Sequence, residues 1–343
     1  MDLKSYIGRR LLILIPTALG AVLILFFLFQ FLTPYQMAAS FAKSPAEAAN
    51  IEQIIARHNL DAKLHVQFYE WFTELLKGNL GYSQTYGGPV TEAFVHFAPV
   101  TLELFIFAVP LTIWAAIKMG VFSAVNQDES GDHAVRIASI LGRAMPNFWL
   151  GLLLVWIGYA VLGWFGIGRL PTQVDAYVAS EAFTQYTRIN TIDAILNLDL
   201  NVFLQTIRHL ILPVTTLVVS SWALITRITR SSMLDVLGRG YITTARSKGL
   251  SEDVVINKHA KRNALIPVLT VSGYLVISML LGAFIVETIF AWHGLGWFFA
   301  RAAVNNDYAA VIGFTLIFTI IVLLVNLIVD ILYARMDPRV RLG

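Results

Sequence analysis

The sequence predicts an all-α integral membrane protein with six transmembrane helices, and three observations predict it. Of 343 residues, 57% are apolar and only 14% are charged, with a mean hydropathy of +0.67. A soluble domain is nearer one quarter charged, so the excess apolar surface has to face lipid. The apolar residues gather in six runs, each of about 18 residues or more, the length that crosses a hydrocarbon core of about 30 Å. The charges gather between those runs. A backbone in lipid has to satisfy its own hydrogen bonds, which leaves helices or closed barrels, and the runs are too long and unbroken for barrel strands.

Taken in order, Lys4, Arg9 and Arg10 precede an apolar run from about Leu11 to Thr33. It is longer than the core of a signal peptide and shows no small-residue cleavage site, so it reads as a retained first helix with its N-terminus inside. Residues 34–98 are polar enough to leave the membrane. Within them residues 51–77 read as a helix, because Phe68, Trp71, Phe72, Leu75 and Leu76 form one apolar face while Glu70, Glu74 and Lys77 lie off it. That face fits a helix lying on the membrane surface or packed on its own protein, and alternatively a docking surface for an external partner. Gly78, Gly81, Gly87, Gly88 and Pro89 mark turns.

The second span is read as about Pro99 to Val125, followed by a short charged inner loop, Asn126 to Arg136, and a third span, about Ile137 to Leu162. Residues 163–208 lie outside, open with Gly163, Gly166, Gly168 and Pro171, and carry no interpretable motif. The fourth span is about His209 to Thr226, the fifth about Ala264 to Phe290 and the sixth about Ala309 to Ala334, with Arg335, Arg339 and Arg341 in the tail. By this assignment about 15 lysines and arginines fall in the inner segments and about 8 in the longer outer ones. That bias puts both termini in the cytoplasm.

Catalytic chemistry has no foothold here. Cysteine is absent, which excludes disulfides and thiolate metal sites. Seven histidines (His58, His65, His96, His133, His209, His259 and His293) are scattered, with no pair at i+4 and no HExxH. There is no Gly-Lys dipeptide for a P-loop and no Gly-x-Ser-x-Gly elbow. The sequence therefore predicts no catalytic residue, no metal and no cofactor in this chain, and its basic loops set topology rather than bind nucleic acid. Glu103, Glu287 and Asp330 lie near predicted boundaries and read as caps or helix-pairing groups, while Arg143 lies somewhat deeper and snorkels. None is deep enough for an obvious proton relay. This weighs against an ion-coupled secondary transporter, which needs midplane sites, broken helices and inverted repeats.

The stretch from Tyr241 to Pro267 stands apart. Arg246, Lys248, Lys258, Lys261 and Arg262 keep it out of the bilayer. Thr243 to Lys248 reads as a short helical turn stopped by Gly249, since glycine enters the left-handed conformation without a Cβ clash. Ser251 then fits the N-cap of a second helix, with Glu252 and Asp253 where the helix dipole favours anions. Two short helices at a fixed angle make a rigid cytoplasmic projection, placed to engage a partner.

This stretch resembles the coupling-loop signature of ABC-transporter permeases, and most of all the first permease subunit of the dipeptide/oligopeptide (peptide/nickel) importer branch. Thr243, Thr244 and Ala245 stand where that family has Glu-Ala-Ala, Gly249 is its glycine, and Leu265-Ile266-Pro267 its later element. The long glycine-to-proline distance, with ARSKGLSE and HAKRNALIP, points to the peptide branch. GNLGYS (Gly78 to Ser83), TLEL (Thr101 to Leu104), HLILP (His209 to Pro213), TRSSMLDVL (Thr229 to Leu237), ETIFAWHGLG (Glu287 to Gly296), NDY (Asn306 to Tyr308) and DPRVR (Asp337 to Arg341) extend the resemblance over nearly the whole chain.

The resemblance implies the ABC type I importer permease fold, with extracytoplasmic loops between helices 1 and 2 and between 3 and 4. It divides the chain into residues 1–33 (N-terminus and first helix), 34–98 (extracytoplasmic, with an amphipathic helix), 99–334 (permease core with coupling loop 236–263) and 335–343 (cytoplasmic tail). It implies a translocation subunit rather than an enzyme, in a prokaryotic cell membrane. ATP and magnesium would be held by two ATPase subunits, beside a second homologous permease and an extracytoplasmic solute-binding protein. Thr243, Thr244, Ala245, Arg246, Lys248, Gly249, Leu250, Ser251 and Glu252 would contact the ATPase, Ala245 being the small residue that allows close approach and Arg246 and Lys248 meeting acidic groups. The cargo would be di- or oligopeptides, with nickel or oligosaccharide as alternatives. An ion-coupled secondary transporter and a non-transporting scaffold remain the rival classes.

Overall fold

The computed structural model describes residues 3–42, 44–48 and 50–336. The described residues form two compact units, one within 8–101 and 293–324, the other within 3–7, 102–292 and 325–336.

In the first of these, α1 (Leu3–Phe29) stops short of the expected Thr33. The reason is local: Thr33 is the N-cap of α2 (Pro34–Phe41), and its side chain and that of Gln36 form a reciprocal capping box. After α3 (Pro45–Ala48), the helix expected over residues 51–77 is two helices, α4 (Ile51–Arg57) and α5 (Leu64–Leu76). Between them Asn59 takes φ 49°, a left-handed conformation that asparagine tolerates better than most residues. The apolar face of α5 packs on the protein itself. Phe68 meets Phe26 of α1 edge-on at 5.1 Å and stacks on Phe72 at 5.5 Å, and Trp71 lies 5.7 Å from Phe26. Leu76 alone of the five stays strongly exposed.

Residues 78–89 turn back through a two-strand hairpin, β1 (Tyr82–Ser83) against β2 (Gly88–Pro89), at the glycines the sequence marked. The second long helix, α6 (Val90–Val125), starts directly from it, nine residues before the expected Pro99. In the same unit lie α15 (Leu295–Val304) and the first half of α16 (Tyr308–Met336). The Asp307 carboxylate accepts from the Ser83 hydroxyl at 2.6 Å, the Thr85 N–H at 2.8 Å and the Ala310 N–H at 3.1 Å, so it caps α16 and holds the hairpin at once. Leu295 N–H donates to Thr101 Oγ1 at 2.8 Å.

The second unit corrects the reading most. Residues 130–136, read as loop, open α7 (Ser130–Ala144), and α8 (Asn147–Leu154) continues as a π-helical segment, Val155–Val161. The two halves meet at 102°, so the third span is a broken or re-entrant one. Met145 takes φ −80° and ψ 123°, the extended backbone that a following proline imposes, and Pro146 is that proline. The expected outer segment 163–208 contains α9 (Thr172–Val178) and α10 (Asn190–Leu196) around a small core of Leu170, Val178, Phe183, Ala194 and Val202. The fourth span is far longer than expected: α11 (Leu200–Leu237) runs for 38 residues, through polar turns at both ends. The later spans agree closely with expectation, as α14 (Lys261–Ile289) and α16. Among the described residues five helices are long and apolar enough to cross a membrane, and six with the bent pair as one.

The α6–α11 crossing depends on a missing side chain. A Cβ on Gly120 would lie 2.5 Å from Thr229 Cβ and 2.7 Å from the Thr226 carbonyl oxygen. Only glycine lets these helices meet at that point.

Candidate functional site: the elbow after α11

The chain leaves α11 at Gly238 and forms α12 (Gly240–Ser247). Ile242 and Ala245, one turn apart, are buried with Met233, Val255, Ala260, Ala264 and Ala124. The opposite face, Thr243, Thr244 and Ser247, is exposed. Lys248 ends the helix, and Gly249 turns the chain with φ +76°. Nothing lies within 4 Å of a Cβ built there, so the need for glycine is conformational and not a matter of space.

Ser251 occupies the N-cap position in extended backbone (φ −63°, ψ 147°), as the sequence indicates, but its hydroxyl makes no capping hydrogen bond. The second short helix is not separate. α13 (Glu252–Val254) passes through a π-helical segment, Val255–Ala260, straight into α14. Residues 252–289 thus form one helix of 38 residues.

The turn is braced across the glycine. Arg246 holds Glu252 with both arms, Nη2 to Oε1 at 2.6 Å and Nε to Oε2 at 3.1 Å. This hydrogen bonding raises the Arg246 pKa and lowers that of Glu252. Tyr241 OH accepts from Asn263 Nδ2 at 3.0 Å, which ties α12 back to α14.

Of the residues expected to meet a partner, Thr243, Thr244, Arg246, Lys248, Gly249, Leu250, Ser251 and Glu252 lie together on the exposed side of the elbow. Ala245 does not. It is 7% exposed and packs into the chain's own core. Its small size makes room for the N-terminal part of the 252–289 helix, through Val255 and Ala260. Arg246 carries a carboxylate of its own chain, Glu252, while both side chains stay exposed.

The sequence missed a second constellation. Asp132, fully buried, accepts from Arg230 Nε at 2.8 Å and Nη2 at 2.6 Å, from the Asp128 N–H at 3.1 Å and from the Ser123 hydroxyl. This clamp joins α6, the turn after it, α7 and α11. Arg230 stands 98 positions from Asp132, so no local pattern announces the pair. Glu103 behaves as the pairing group the sequence suggested: buried, it accepts from Arg169 Nε at 2.8 Å and the Thr191 N–H at 2.7 Å. Arg143, expected to snorkel, is exposed in the structure. Of the tail, residues 337–343 lie outside the described ones. No group of three or more metal-ligating side chains occurs among the described residues.

Comparison with known proteins decides what this framework is. The model of the family described as "binding-protein-dependent transport system inner membrane component" matches residues 116–342. The chain belongs to that family. This permease is 37% identical over 339 residues to the oligopeptide transport system permease protein AppB of Bacillus subtilis, covering 98% of this chain and 99% of that one. It is 38% identical over 338 residues to the di/tripeptide transport system permease protein DppB of Pseudomonas aeruginosa, covering 98% of both chains. It is also 37% identical over 341 residues to the dipeptide transport system permease protein DppB of Escherichia coli, again covering 98% of both. The permease is therefore a multi-pass membrane component of a transport system, and family membership makes it a translocation subunit rather than an enzyme. Its short matching pieces serve as structural ties: GNLGYS meets NDY at Ser83–Asp307, and TLEL meets the GLG of ETIFAWHGLG at Thr101–Leu295.

Proposed function

We propose that this chain is the permease subunit of an ATP-driven importer for di- or oligopeptides handed over by an extracytoplasmic binding protein. It couples to ATPase subunits through the exposed side of the elbow, Thr243, Thr244, Arg246, Lys248, Gly249, Leu250, Ser251 and Glu252. The observation that carries this reading is the elbow itself. It is a turn locked by Gly249 and the Arg246–Glu252 pair and continuous with α14, in a chain that aligns along 98% of its length with relatives named as peptide permeases.

The rest of the assembly follows from the same reading. ATP and magnesium bind two ATPase subunits, a second homologous permease stands beside this one, and both termini face the cytoplasm. The division into residues 1–33, 34–98, 99–334 and 335–343 is kept, with residues 34–98 and 163–208 outside. Differential contacts of the ATPase with the elbow in two discrete states drive the alternation. The peptide cargo comes from the names of the relatives; oligosaccharide or nickel are the alternatives.

The test is disulfide trapping between a cysteine at Thr244 or Lys248 and the ATPase, in vesicles with and without nucleotide. Capture that depends on nucleotide, together with peptide uptake, supports the proposal. An elbow found on the outer face, or never captured while uptake continues, defeats it. The bent α7–α8 pair gives the secondary-transporter reading one feature it lacked. Purified alone in liposomes, the chain would then move solute down an ion gradient without nucleotide, which the importer reading forbids.

A further inference from the structure

α7 and α11 enclose an open cavity of about 940 Å³ beside the Asp132 clamp. Arg136 and Arg143 line it from α7, two turns apart, with Ser139 between them; Arg227 and Arg230 line it from α11. Asp132 holds Arg230, and Asp128 also lies on the wall. No carboxylate of the described chain forms an ion pair with Arg136, Arg143 or Arg227. With Arg230 against Asp132 and one arginine set against Asp128, the wall keeps an excess of two positive charges. The Ser139 hydroxyl is buried with no hydrogen-bond partner.

The surface around these arginines is apolar. Ile140, 68% exposed, lies in the cavity wall itself, and Ile137 and Leu141 beside it on α7 are 58% and 54% exposed. A free anion needs no such border. An amphiphile does, because its charged head and its hydrocarbon tail have to be satisfied side by side. Guanidinium groups also suit phosphate oxygens better than a point charge would, through paired N–H donors.

We infer that the α7–α11 cavity is a binding site for the phosphate headgroup of an anionic phospholipid, held by Arg136, Arg143 and Arg227, with its acyl chains along Ile137, Ile140 and Leu141. The site requires only that these helices lie in a membrane. It is independent of the elbow and of the cargo. A lipid seated there bridges the arm before the break at Pro146 to the long helix α11, and so stabilises the bent geometry of the third span.

The test counts lipids on the intact transport complex by native mass spectrometry, after extraction from vesicles of equal phosphatidylglycerol and phosphatidylcholine. The wild type is expected to retain phosphatidylglycerol preferentially. Each of R136Q, R143Q and R227Q is expected to lower that preference about fivefold, the value of one basic side chain at an anionic surface. A control with Arg57→Gln and Lys63→Gln keeps the wild-type preference. Adding inorganic phosphate separates the two sources of the same chemistry: unchanged lipid retention supports a membrane ligand, whereas displacement by phosphate alone overturns it. Retention unaltered in all three variants also overturns the inference. So does loss of the second permease from the complex with lipid retention intact, which would assign the arginines to a protein interface. Arg143→Lys, which keeps the charge and the fold, is expected to retain phosphatidylglycerol more weakly than wild type but better than R143Q.

Discussion

Two bidentate arginine–carboxylate pairs stand in regions of opposite character. The Asp132 side chain is 0% exposed and Arg230 21%, in a clamp joining α6, α7 and α11. The Arg246 and Glu252 side chains are 45% and 54% exposed, in an elbow. The contacts are alike in length, 2.6 Å at the shortest in each. Their energetic roles differ because of solvent. Removing Arg230 leaves the fully buried Asp132 carboxylate without a counter-charge, and removing Asp132 leaves Arg230 only partly hydrated, whereas a charge released at the elbow is hydrated at once. The first pair therefore holds the framework and the second shapes a surface.

Breaking the clamp is the severest test of that contrast. Asp132→Ala is expected to destabilise the chain by about 3 kcal/mol, the low end for a buried pair, because Arg230 loses its counter-charge but stays partly exposed. The readout is a lowered thermal-aggregation midpoint of the solubilised protein and a loss of assembled complex. Asp132→Ala with Arg230→Met should recover much of the midpoint. A single Asp132→Ala variant as stable as wild type would break the comparison.

Next is Gly120→Val, which drives a branched side chain into Thr229 and the Thr226 carbonyl of α11. The expected cost is about 1–3 kcal/mol, again read as a lower midpoint. Gly249→Val sharpens the contrast from the other side. Its cost is local backbone strain of about 1–3 kcal/mol, at an exposed turn with open space around it. Insertion and yield should stay near wild type while ATP-driven uptake fails; uptake at the wild-type rate would remove the elbow from the mechanism.

The smallest effect belongs to Glu252→Gln. It should leave the aggregation midpoint unchanged and raise the mobility of a spin label at Ser247. The same loosening should appear on acidification. The Glu252 carboxyl is held below its ordinary range by Arg246, so the brace is complete above about pH 4.3, the unperturbed glutamate value, and weakens only as pH falls through its lower folded value. A label indifferent to both changes would mean the pair does not order the turn.

The chain's local features were readable in the sequence and its long-range ones were not. Gly249 and Ser251 take the positions their residue types favour, and the apolar face of α5 is real. α14 and α16 keep nearly their expected bounds, since each is bounded by charge. α11 was underestimated because hydropathy stops at Arg227 while the helix does not: Arg227 and Arg230 are good helix formers, and nothing breaks the helix before Gly238. The break in the third span had its signal in Pro146, masked by apolar residues on both sides. The clamp of Asp132 by Arg230 had none, since it joins elements that only folding brings together. At the elbow, exposure of eight of the expected residues followed from their polarity or their turn geometry. Burial of Ala245 followed from its spacing to Ile242, a pattern that the likeness to a partner-facing motif obscured.

The unbroken course of residues 252–289 has a mechanical meaning. At 1.5 Å of rise per residue a rod of this kind is about 57 Å long, enough to cross a bilayer with a handle left over. Seized at the Ser251 end and pivoted by about 5°, it would sweep its far end through about 5 Å, if it stays stiff. The wide turns at Val255–Ala260 then become the place where leverage is either passed on whole or absorbed.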